Sequence, residues 1–179
     1  MKETWTRREM LYQGAIVSLE TGDVRLEDGG TAFREVVHHP GGVGIVPCLG
    51  DAVVLVRQYR IAVGERVLEI PAGKREDEAD PAERARAELE EETGYRAGRL
   101  IPAGSYYASP GYTSEEYHLY LAFDLEPVGQ RLEADERIEV VAIPLDEARR
   151  RLDANAFEDA KTVIGLRALF DYLHRDREG

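Results

Sequence analysis

The sequence predicts an α/β fold in which a mixed β-sheet lies between helices, with a small β meander ahead of it. Three observations support this prediction. β-rich and helical segments interleave without regular β-α-β alternation, one internal helix carries clear start and stop signals, and the chain closes on an amphipathic helix. With 179 residues the chain can bury one full core but not two independent ones. We therefore expect a main domain over residues 41–179 and an N-terminal β extension over residues 1–40.

The N-terminal extension has the pattern of a meander of three short strands between residues 12 and 39. The segments ETGD, at 20–23, and EDGG, at 27–30, have the composition of its two turns. A meander of this size cannot bury its own apolar faces. We therefore expect the extension to pack on the main domain or on a second subunit.

The main domain alternates between β-rich runs and helical runs, and Gly and Pro mark several of the breaks. Strands are predicted at residues 43–49, 52–60, 66–70, 99–107, 116–125 and 137–145. A short helix is predicted at 146–152 and a closing helix at 159–173. The closing helix has apolar residues at helical spacing, for which core packing is the expected role: Val163, Ile164, Leu166, Leu169, Phe170 and Leu173.

One further helix, between residues 80 and 94, has identifiable ends. Asp80 can act as its N-cap, Pro81 suits the first helical position, and Glu83 is placed to complete a capping box. Gly94 offers the left-handed residue that ends many helices. These signals fix the register of the helix, and therefore which side chains share a face.

Three glutamates of this helix, Glu88, Glu91 and Glu92, lie on one side at about 100° of turn per residue, and we call them the glutamate ridge. Crowding like charges is unfavourable unless cations neutralise them. Hard divalent cations such as Mg²⁺ or Mn²⁺ prefer carboxylate oxygens. The alternative is an acidic face exposed to water. Small apolar residues point elsewhere and predict the buried face: Ala82, Ala85 and Leu89.

Composition and charge limit the classes of partner. The net charge of −12 argues against binding to nucleic acids and to anionic membranes, both of which favour basic surfaces. No apolar run is long enough to span a bilayer, and the N-terminus lacks the apolar centre of a secretion signal. The single cysteine, Cys48, lies in an apolar run and is interpreted as a packing residue. These features favour a cytoplasmic protein.

The stretch from Gly73 to Tyr95 resembles the box of the Nudix hydrolases, G-x5-E-x7-R-E-U-x-E-E-x-G-U, where U is an aliphatic or aromatic residue. The chain departs from it at two positions, because Ala79 replaces the first glutamate and Ala87 replaces the arginine that orients the ridge. The resemblance implies a Nudix-type α/β/α sandwich and metal-dependent diphosphate hydrolysis. The matching residues are Gly73, Glu88, Leu89, Glu91, Glu92, Gly94 and Tyr95.

The two departures suggest local replacements. Arg84 lies one turn before Glu88 on the ridge side, so we expect it to replace part of the missing cation. Glu76 or Glu78, in the preceding loop, could stand in for the missing carboxylate.

Further segments resemble the ADP-ribose pyrophosphatase branch of the family: VRQYR at 56–60, LEIPAGK at 68–74, SPGYTSEE at 109–116 and DAKT at 159–162. Pro110 lies 16 residues after Gly94, where that branch has a distinguishing proline. The resemblance implies hydrolysis of ADP-ribose to AMP and ribose 5-phosphate by a homodimer that exchanges N-terminal strands. The alternatives are another nucleoside diphosphate sugar, such as GDP-mannose, or a binding module with weak turnover.

The resemblance also implies roles at the metal site. The backbone carbonyl of Ala72 would join Glu88, Glu91 and Glu92 as a metal ligand. A base that acts on water should lie outside the ridge, because carboxylates held by cations are poor proton acceptors. By resemblance Glu136 is the first candidate and Glu139 the second, within an acidic segment that also holds Glu133 and Asp135. The alternative for each of these acids is a solvated surface charge.

The remaining candidates concern the substrate. Arg57 and Arg60 could clamp phosphate or ribose oxygens through their planar guanidinium groups, the alternative being edge-strand side chains that face water. By resemblance Glu115 is expected near the metals, as a binding or ligand-supporting residue, and Pro110 near the substrate. Phe33 matches the place of an adenine-stacking ring, with Trp5 as a weaker candidate and a buried core role as the alternative for Phe33. The four histidines lack metal-ligand spacing.

Overall fold

The structure is a computed structural model that describes residues 2–75, 80–132, 134 and 136–178. The chain divides into two compact units. Unit 1 contains the chain up to Gly42 together with Tyr106–Tyr117, and unit 2 contains Val43–Ser105 and the chain from His118 onward. The domain boundary expected at residue 40 stays a prediction.

Unit 1 is built on a three-stranded antiparallel sheet of order β1-β2-β3, with β1 at Thr4–Gln13, β2 at Ser18–Arg25 and β3 at Thr31–His38. The meander is confirmed, but its first strand begins earlier than predicted. The second predicted turn is also confirmed, because the amide of Leu26 donates to the carbonyl of Gly30 at 2.8 Å.

The turn predicted at residues 20–23 is wrong, because these residues lie inside β2 and pair with strands on both sides. The reason is Gly22. A Cβ at this position would meet the backbone carbonyl of Arg7 on β1, so glycine serves a close approach of two strands and not a turn. The actual turn is at residues 14–17, where the amide of Gly14 donates to the carbonyl of Val17 at 2.9 Å.

Unit 2 holds most of a seven-stranded sheet with the main order β10-β5-β4-β9-β8, in which β6 also pairs with β5 and β7 with β4. Its strands are β4 at Gly42–Leu49, β5 at Ala52–Arg60, β6 at Glu65–Glu69, β7 at Ala72–Lys74, β8 at Tyr95–Tyr107, β9 at Glu116–Pro127 and β10 at Glu139–Pro144. The predicted fold class, a mixed sheet combined with helices, is confirmed.

Three helices complete the described fold: α1 at Pro81–Thr93, α2 at Leu145–Asp153 and α3 at Ala160–Glu178. The predicted ends of α1 are confirmed. The carboxylate of Asp80 accepts from the amide of Ala82 at 3.0 Å, and Gly94 is left-handed with φ 73°. Helix α3 runs past its last apolar residue because the charged residues that follow are compatible with helix. None of the helices in the described part of the chain is long and apolar enough to cross a membrane.

The predicted buried face of α1 packs on the sheet. Ala85 and Leu89 are wholly buried in a core cluster, and Ala82 packs against its edge. This packing places the ridge side of α1 toward the segment that joins β6 to β7. The other buried members of the cluster come from β4, β8 and β9: Val43, Ile45, Ala97, Tyr120 and Ala122.

Candidate active site

The glutamate ridge is largely buried. Glu88 is 5% exposed and Glu92 is 3% exposed, whereas Glu91 is half-buried. The alternative of a solvated acidic face is therefore wrong for Glu88 and Glu92. Buried carboxylates need hydrogen bonds or cations, since an unpaired buried charge is strongly unfavourable.

Gly73, on β7, allows the ridge to approach the sheet. A Cβ at this position would overlap the carboxylate of Glu88 and also crowd its Cγ. The close approach of backbone and carboxylate therefore requires glycine. The glycine of the box is thus explained by contact with one of the ridge glutamates.

Glu92 is held by the backbone of the same strand. Its Oε2 accepts a hydrogen bond from the amide of Ala72 at 2.9 Å. Burial raises the pKa of Glu92 to about 8, and the negative charges of Glu88 and Glu136 act in the same direction, while the Ala72 amide and Arg60 oppose them. Glu92 therefore lies among neighbouring acids whose repulsion a bound cation would relieve.

Arg84 lies against the ridge, as the sequence suggested. Its Nη2 is 2.5 Å from Oε1 of Glu88, and its Nη1 is 3.5 Å from Oε2 of Glu91. Its Nε donates to the backbone carbonyl of Lys74 at 3.1 Å. One guanidinium thus joins two ridge carboxylates to the end of β7. Glu76 and Glu78, the suggested replacements for the missing carboxylate, lie outside the described residues.

The side chains of the ridge fit a hard divalent cation, because such cations prefer carboxylate oxygens. Two of the three carboxylates, those of Glu88 and Glu92, are buried and repel each other. Within residues 2–75, 80–132, 134 and 136–178, no three acidic, histidine or cysteine side chains are gathered in a ready metal cage. The carbonyl of Ala72 stays a predicted ligand.

The two candidate bases have different surroundings. Glu136 is half-buried and close enough to Glu92 for its charge to raise the pKa of that carboxyl. Glu139 is exposed and lies directly opposite Arg57 in the β10–β5 register, with Oε2 accepting from Nη1 at 3.2 Å. Glu133 and Asp135 lie outside the described residues.

Arg60, a predicted substrate clamp, is paired within unit 2. Its Nε donates to Oε1 of Glu69 at 2.6 Å and its Nη2 to Oε2 at 2.9 Å. The Glu69 carboxylate raises the pKa of Arg60 above its usual value, and the more distant charges of Glu92 and Asp159 add to this. Arg60 is therefore in the electrostatic neighbourhood of the ridge, and its contact with a substrate stays a prediction.

The other substrate candidates belong to unit 1. The side chain of Phe33, on β3, is an exposed large apolar group at 56%, so the alternative of a buried core role is wrong. Pro110 and Glu115 lie in the Tyr106–Tyr117 segment, which is joined to β3 because Val37 exchanges backbone hydrogen bonds with Tyr112 and Ser114 at 2.8 and 3.0 Å. Their roles in binding stay predictions.

Sequence reasoning missed Glu69 and gave Thr162 no individual role. Glu69 is 2% exposed and pairs with Arg60, and Thr162 is wholly buried against Ile70. A signal for Glu69 was available, because a single charge inside the apolar run VLEIPAG needs a partner. Thr162 stood out only as part of DAKT.

Comparisons with known proteins identify the family and support the fold. The family model described as NUDIX domain matches residues 38–164. The ADP-ribose pyrophosphatase of Bacillus subtilis (strain 168) is 34% identical over 94% of this chain and 93% of its own, and the methanol dehydrogenase activator of Bacillus methanolicus is 37% identical over 94% and 92%. A crystal structure titled ADP compounds hydrolase has a TM-score of 0.87, covering 98% of this chain and 96% of its own at 24% identity, and supports the fold.

Proposed function

Because this chain belongs to the NUDIX domain family, we propose that it hydrolyses the diphosphate of ADP-ribose to AMP and ribose 5-phosphate, with Mg²⁺ as the preferred cation and Mn²⁺ as a substitute. The observation that carries the proposal is the burial of Glu88 and Glu92 against the backbone of Ala72 and Gly73. The similarity to the Bacillus subtilis ADP-ribose pyrophosphatase supports the choice of substrate.

The ridge glutamates would hold the cation, with the Ala72 carbonyl as an additional ligand. A divalent cation in such a site supplies charge neutralisation on the diphosphate and lowers the pKa of water. The chain orients these groups in advance, since Glu92 is fixed by the Ala72 amide and Glu88 by Arg84. This preorganisation spares the site from reordering its charges during the reaction.

We assign the proton transfer from water to Glu136, with Glu139 as the second candidate. The proximity of Glu136 to Glu92 supports this order, as does the pairing of Glu139 with Arg57. Replacing Glu136 by Gln should lower kcat by about 100-fold and change the acid limb of the pH profile, as expected for loss of general base catalysis. Replacing Glu139 by Gln should act mainly on KM. The reverse pattern would transfer the role to Glu139.

Arg57, Arg60, Glu115, Pro110 and Phe33 are proposed to bind the substrate. Arginine at 57 and 60 suits diphosphate oxygens, and the exposed ring of Phe33 is available to stack on a base. The reaction with a small nucleotide sugar needs neither nucleic acid nor membrane as a partner.

The test is a panel of nucleoside diphosphate sugars, including ADP-ribose and GDP-mannose, assayed with Mg²⁺, with Mn²⁺ and with a chelator. We expect metal-dependent release of AMP from ADP-ribose at the highest kcat/KM of the panel. A higher kcat/KM for GDP-mannose than for ADP-ribose would indicate that the protein is a GDP-mannose pyrophosphatase. Binding of ADP-ribose without turnover of any compound would indicate a binding module.

We further propose a cytoplasmic homodimer formed through the N-terminal extension. Strand β1 and the turn after it expose the side chains of Met10, Leu11, Tyr12 and Ile16 at 48 to 58%. Such an apolar surface supports a contact with a second copy. Light scattering should give twice the chain mass, and Leu11→Glu should shift the protein toward monomer. The single cysteine, Cys48, is free, as suits a reducing compartment.

A further inference from the structure

The short segment from Glu69 to Gly73, which we call the pinned segment, is in contact at each residue with a side chain or backbone group from one of four elements of unit 2. The segment includes Pro71, whose ring fixes one backbone angle and limits local adjustment. Its partners are Arg60 of β5 for Glu69, Thr162 of α3 for Ile70, Ile45 of β4 for Pro71, Glu92 of α1 for Ala72 and Glu88 of α1 for Gly73.

Thr162 makes the most remote of these contacts. Its Oγ1 accepts a hydrogen bond from the amide of Ile70 at 2.8 Å, although the two residues are 92 positions apart in sequence. The Thr162 side chain is wholly buried, so no water replaces this acceptor. The Ile70 amide would be left without a partner if the hydroxyl were removed.

The hydroxyl of Thr162 is held in one orientation. It donates its proton to Oδ2 of Asp159 at 2.7 Å, and the same oxygen accepts from the backbone amide of Thr162 at 2.8 Å. Asp159 is also paired with Lys161 at 2.8 Å. Because a hydroxyl has one proton, its donation to Asp159 turns a lone pair toward Ile70. The start of α3 therefore presents a fixed acceptor to the pinned segment.

We infer that Thr162 is a positioning residue for the metal site, acting through the backbone of Ile70, Pro71 and Ala72 on the carboxylate of Glu92. This inference rests on the proposed function, because it requires a cation at the ridge. Only Pro71 separates the amide that Thr162 holds from the amide that holds Glu92, and its ring limits how far the backbone between them can adjust. A displaced Ile70 thus moves the Ala72 amide away from Glu92. The segment DAKT, at residues 159–162, thereby gains a physical role through Thr162.

The test compares Thr162→Val, which keeps the shape and removes the hydroxyl, with Thr162→Ser, which keeps the hydroxyl. Metal affinity is measured by calorimetric titration of Mn²⁺ and of Mg²⁺ without substrate, and kcat and KM for ADP-ribose are measured separately at saturating metal. Thr162→Val should bind metal about 10-fold more weakly, which is the typical size of the loss when a residue that orients a metal ligand is replaced. At saturating metal the loss should fall on kcat and leave KM nearly unchanged. Thr162→Ser should restore most of the affinity.

A matched control is Val53→Ala, which removes methyl groups from a wholly buried position of β5 that lies opposite Ile143 of β10 and Cys48 of β4. This variant should lose stability and keep the metal affinity of the parent protein. If Thr162→Val keeps the parent affinity, or if Val53→Ala loses as much affinity at equal stability, the positioning role is wrong. If the parent protein binds no divalent cation, the proposed function and this inference both fail.

A second measurement on the unchanged protein serves if Thr162→Val does not fold. Coupling between two sites is reciprocal, so a hydrogen bond that strengthens metal binding is itself strengthened by the metal. Hydrogen exchange of the Ile70 amide should therefore slow by about 10-fold when Mg²⁺ saturates the site, the same factor as in the titration. Exchange of Ile70 that is unchanged by Mg²⁺ would overturn the inference.

Discussion

Both units of the molecule contain buried glutamates, and Glu20 of unit 1 and Glu92 of unit 2 have different surroundings. Glu20 in unit 1 is 8% exposed and has two side-chain partners of its own, since its carboxylate lies 3.0 Å from Nε2 of His38 and 3.5 Å from Nε of Arg8. Glu92 in unit 2 is held by the Ala72 amide and has Glu88 and Glu136 close enough to repel it. A buried carboxylate that is paired within the fold stabilises the fold, whereas one that is surrounded by other carboxylates is stabilised by a bound cation.

The same contrast exists within unit 2. The carboxylate of Glu69 is satisfied by two hydrogen bonds from Arg60, and Glu88 is paired with Arg84. Glu92 receives only a longer-range electrostatic contribution from Arg60. Charge compensation is therefore complete at Glu69 and incomplete at Glu92. The incomplete site is where we place the cation.

The largest effect should come from Glu92→Gln. This change removes a predicted metal ligand and keeps the shape and the hydrogen bond to Ala72. We expect turnover of ADP-ribose to fall by more than about 100-fold, because loss of a ligand should cost more than loss of a residue that only orients a ligand. Glu90→Gln on the same helix is the control, because Glu90 pairs with Arg96 and not with the ridge. If Glu92→Gln and Glu90→Gln were equally active, Glu92 would not be a metal ligand.

Gly73→Ala should have the next largest effect. The added methyl group would occupy the place of the Glu88 carboxylate and push it away from β7. We expect metal affinity to fall by about 10-fold to 100-fold, as for other changes that misplace a ligand. Gly111→Ala is the control, because an added methyl group there meets nothing within 4 Å and, as at Gly73, the backbone φ is not positive. A Gly73→Ala protein with parent metal affinity would show that Glu88 is not a ligand.

Arg84→Ala should have a smaller effect on metal binding, about 10-fold, because the residue orients carboxylates and does not hold the ion. Its guanidinium ties Glu88 and Glu91 to the carbonyl of Lys74. Adding Ala87→Arg, which restores the arginine of the box, should recover much of the affinity. Arg86→Ala is the matched control, since Arg86 donates to the carbonyl of Ala97 at 3.0 Å. Unchanged metal affinity and turnover in Arg84→Ala would show that Arg84 does not substitute for the box arginine that Ala87 replaces.

The sequence predicted α1 and its ridge well because local signals determine them. Asp80, Pro81 and Gly94 fix the register of the helix, and the register decides which residues are buried. The same local reasoning failed at 20–23, where glycine is needed for contact with Arg7 of β1. A turn and a close approach of strands both use glycine, and sequence alone does not distinguish them.

The pinned segment could not have been predicted from local patterns. The contact between Thr162 and Ile70 joins residues far apart in the chain, and that between Ala72 and Glu92 depends on how α1 packs on the sheet. The position of Arg84 was within reach because its spacing from Glu88 is a property of one helix. Spacing along one element is therefore predictable, whereas the partner of a buried backbone amide depends on the tertiary fold.

The smallest effect, and the one that compares the two units directly, is on the stability of the metal-free protein. In the folded state the pKa of Glu92 is raised from 4.5 to about 8, so the folded protein holds a proton that the unfolded chain releases between these values. Stability therefore falls as pH rises from about 4.5 to about 8 and stays low above this range. Glu92→Gln removes this titration, and should raise the free energy of unfolding by about 1 kcal/mol at about pH 9, since burying the amide also has a cost.

Glu20→Gln should have the opposite sign. It removes the negative charge beside Arg8 and weakens the hydrogen bond with Nε2 of His38, so the free energy of unfolding should fall by about 1 kcal/mol under the same conditions. Denaturant unfolding monitored at about pH 5 and about pH 9 checks both variants, and the gain from Glu92→Gln should be nearly absent at the lower pH because Glu92 is then protonated in the fold. If both variants destabilise the protein equally at the higher pH, Glu92 is a compensated structural acid like Glu20, and the argument for a cation at the ridge loses its electrostatic basis.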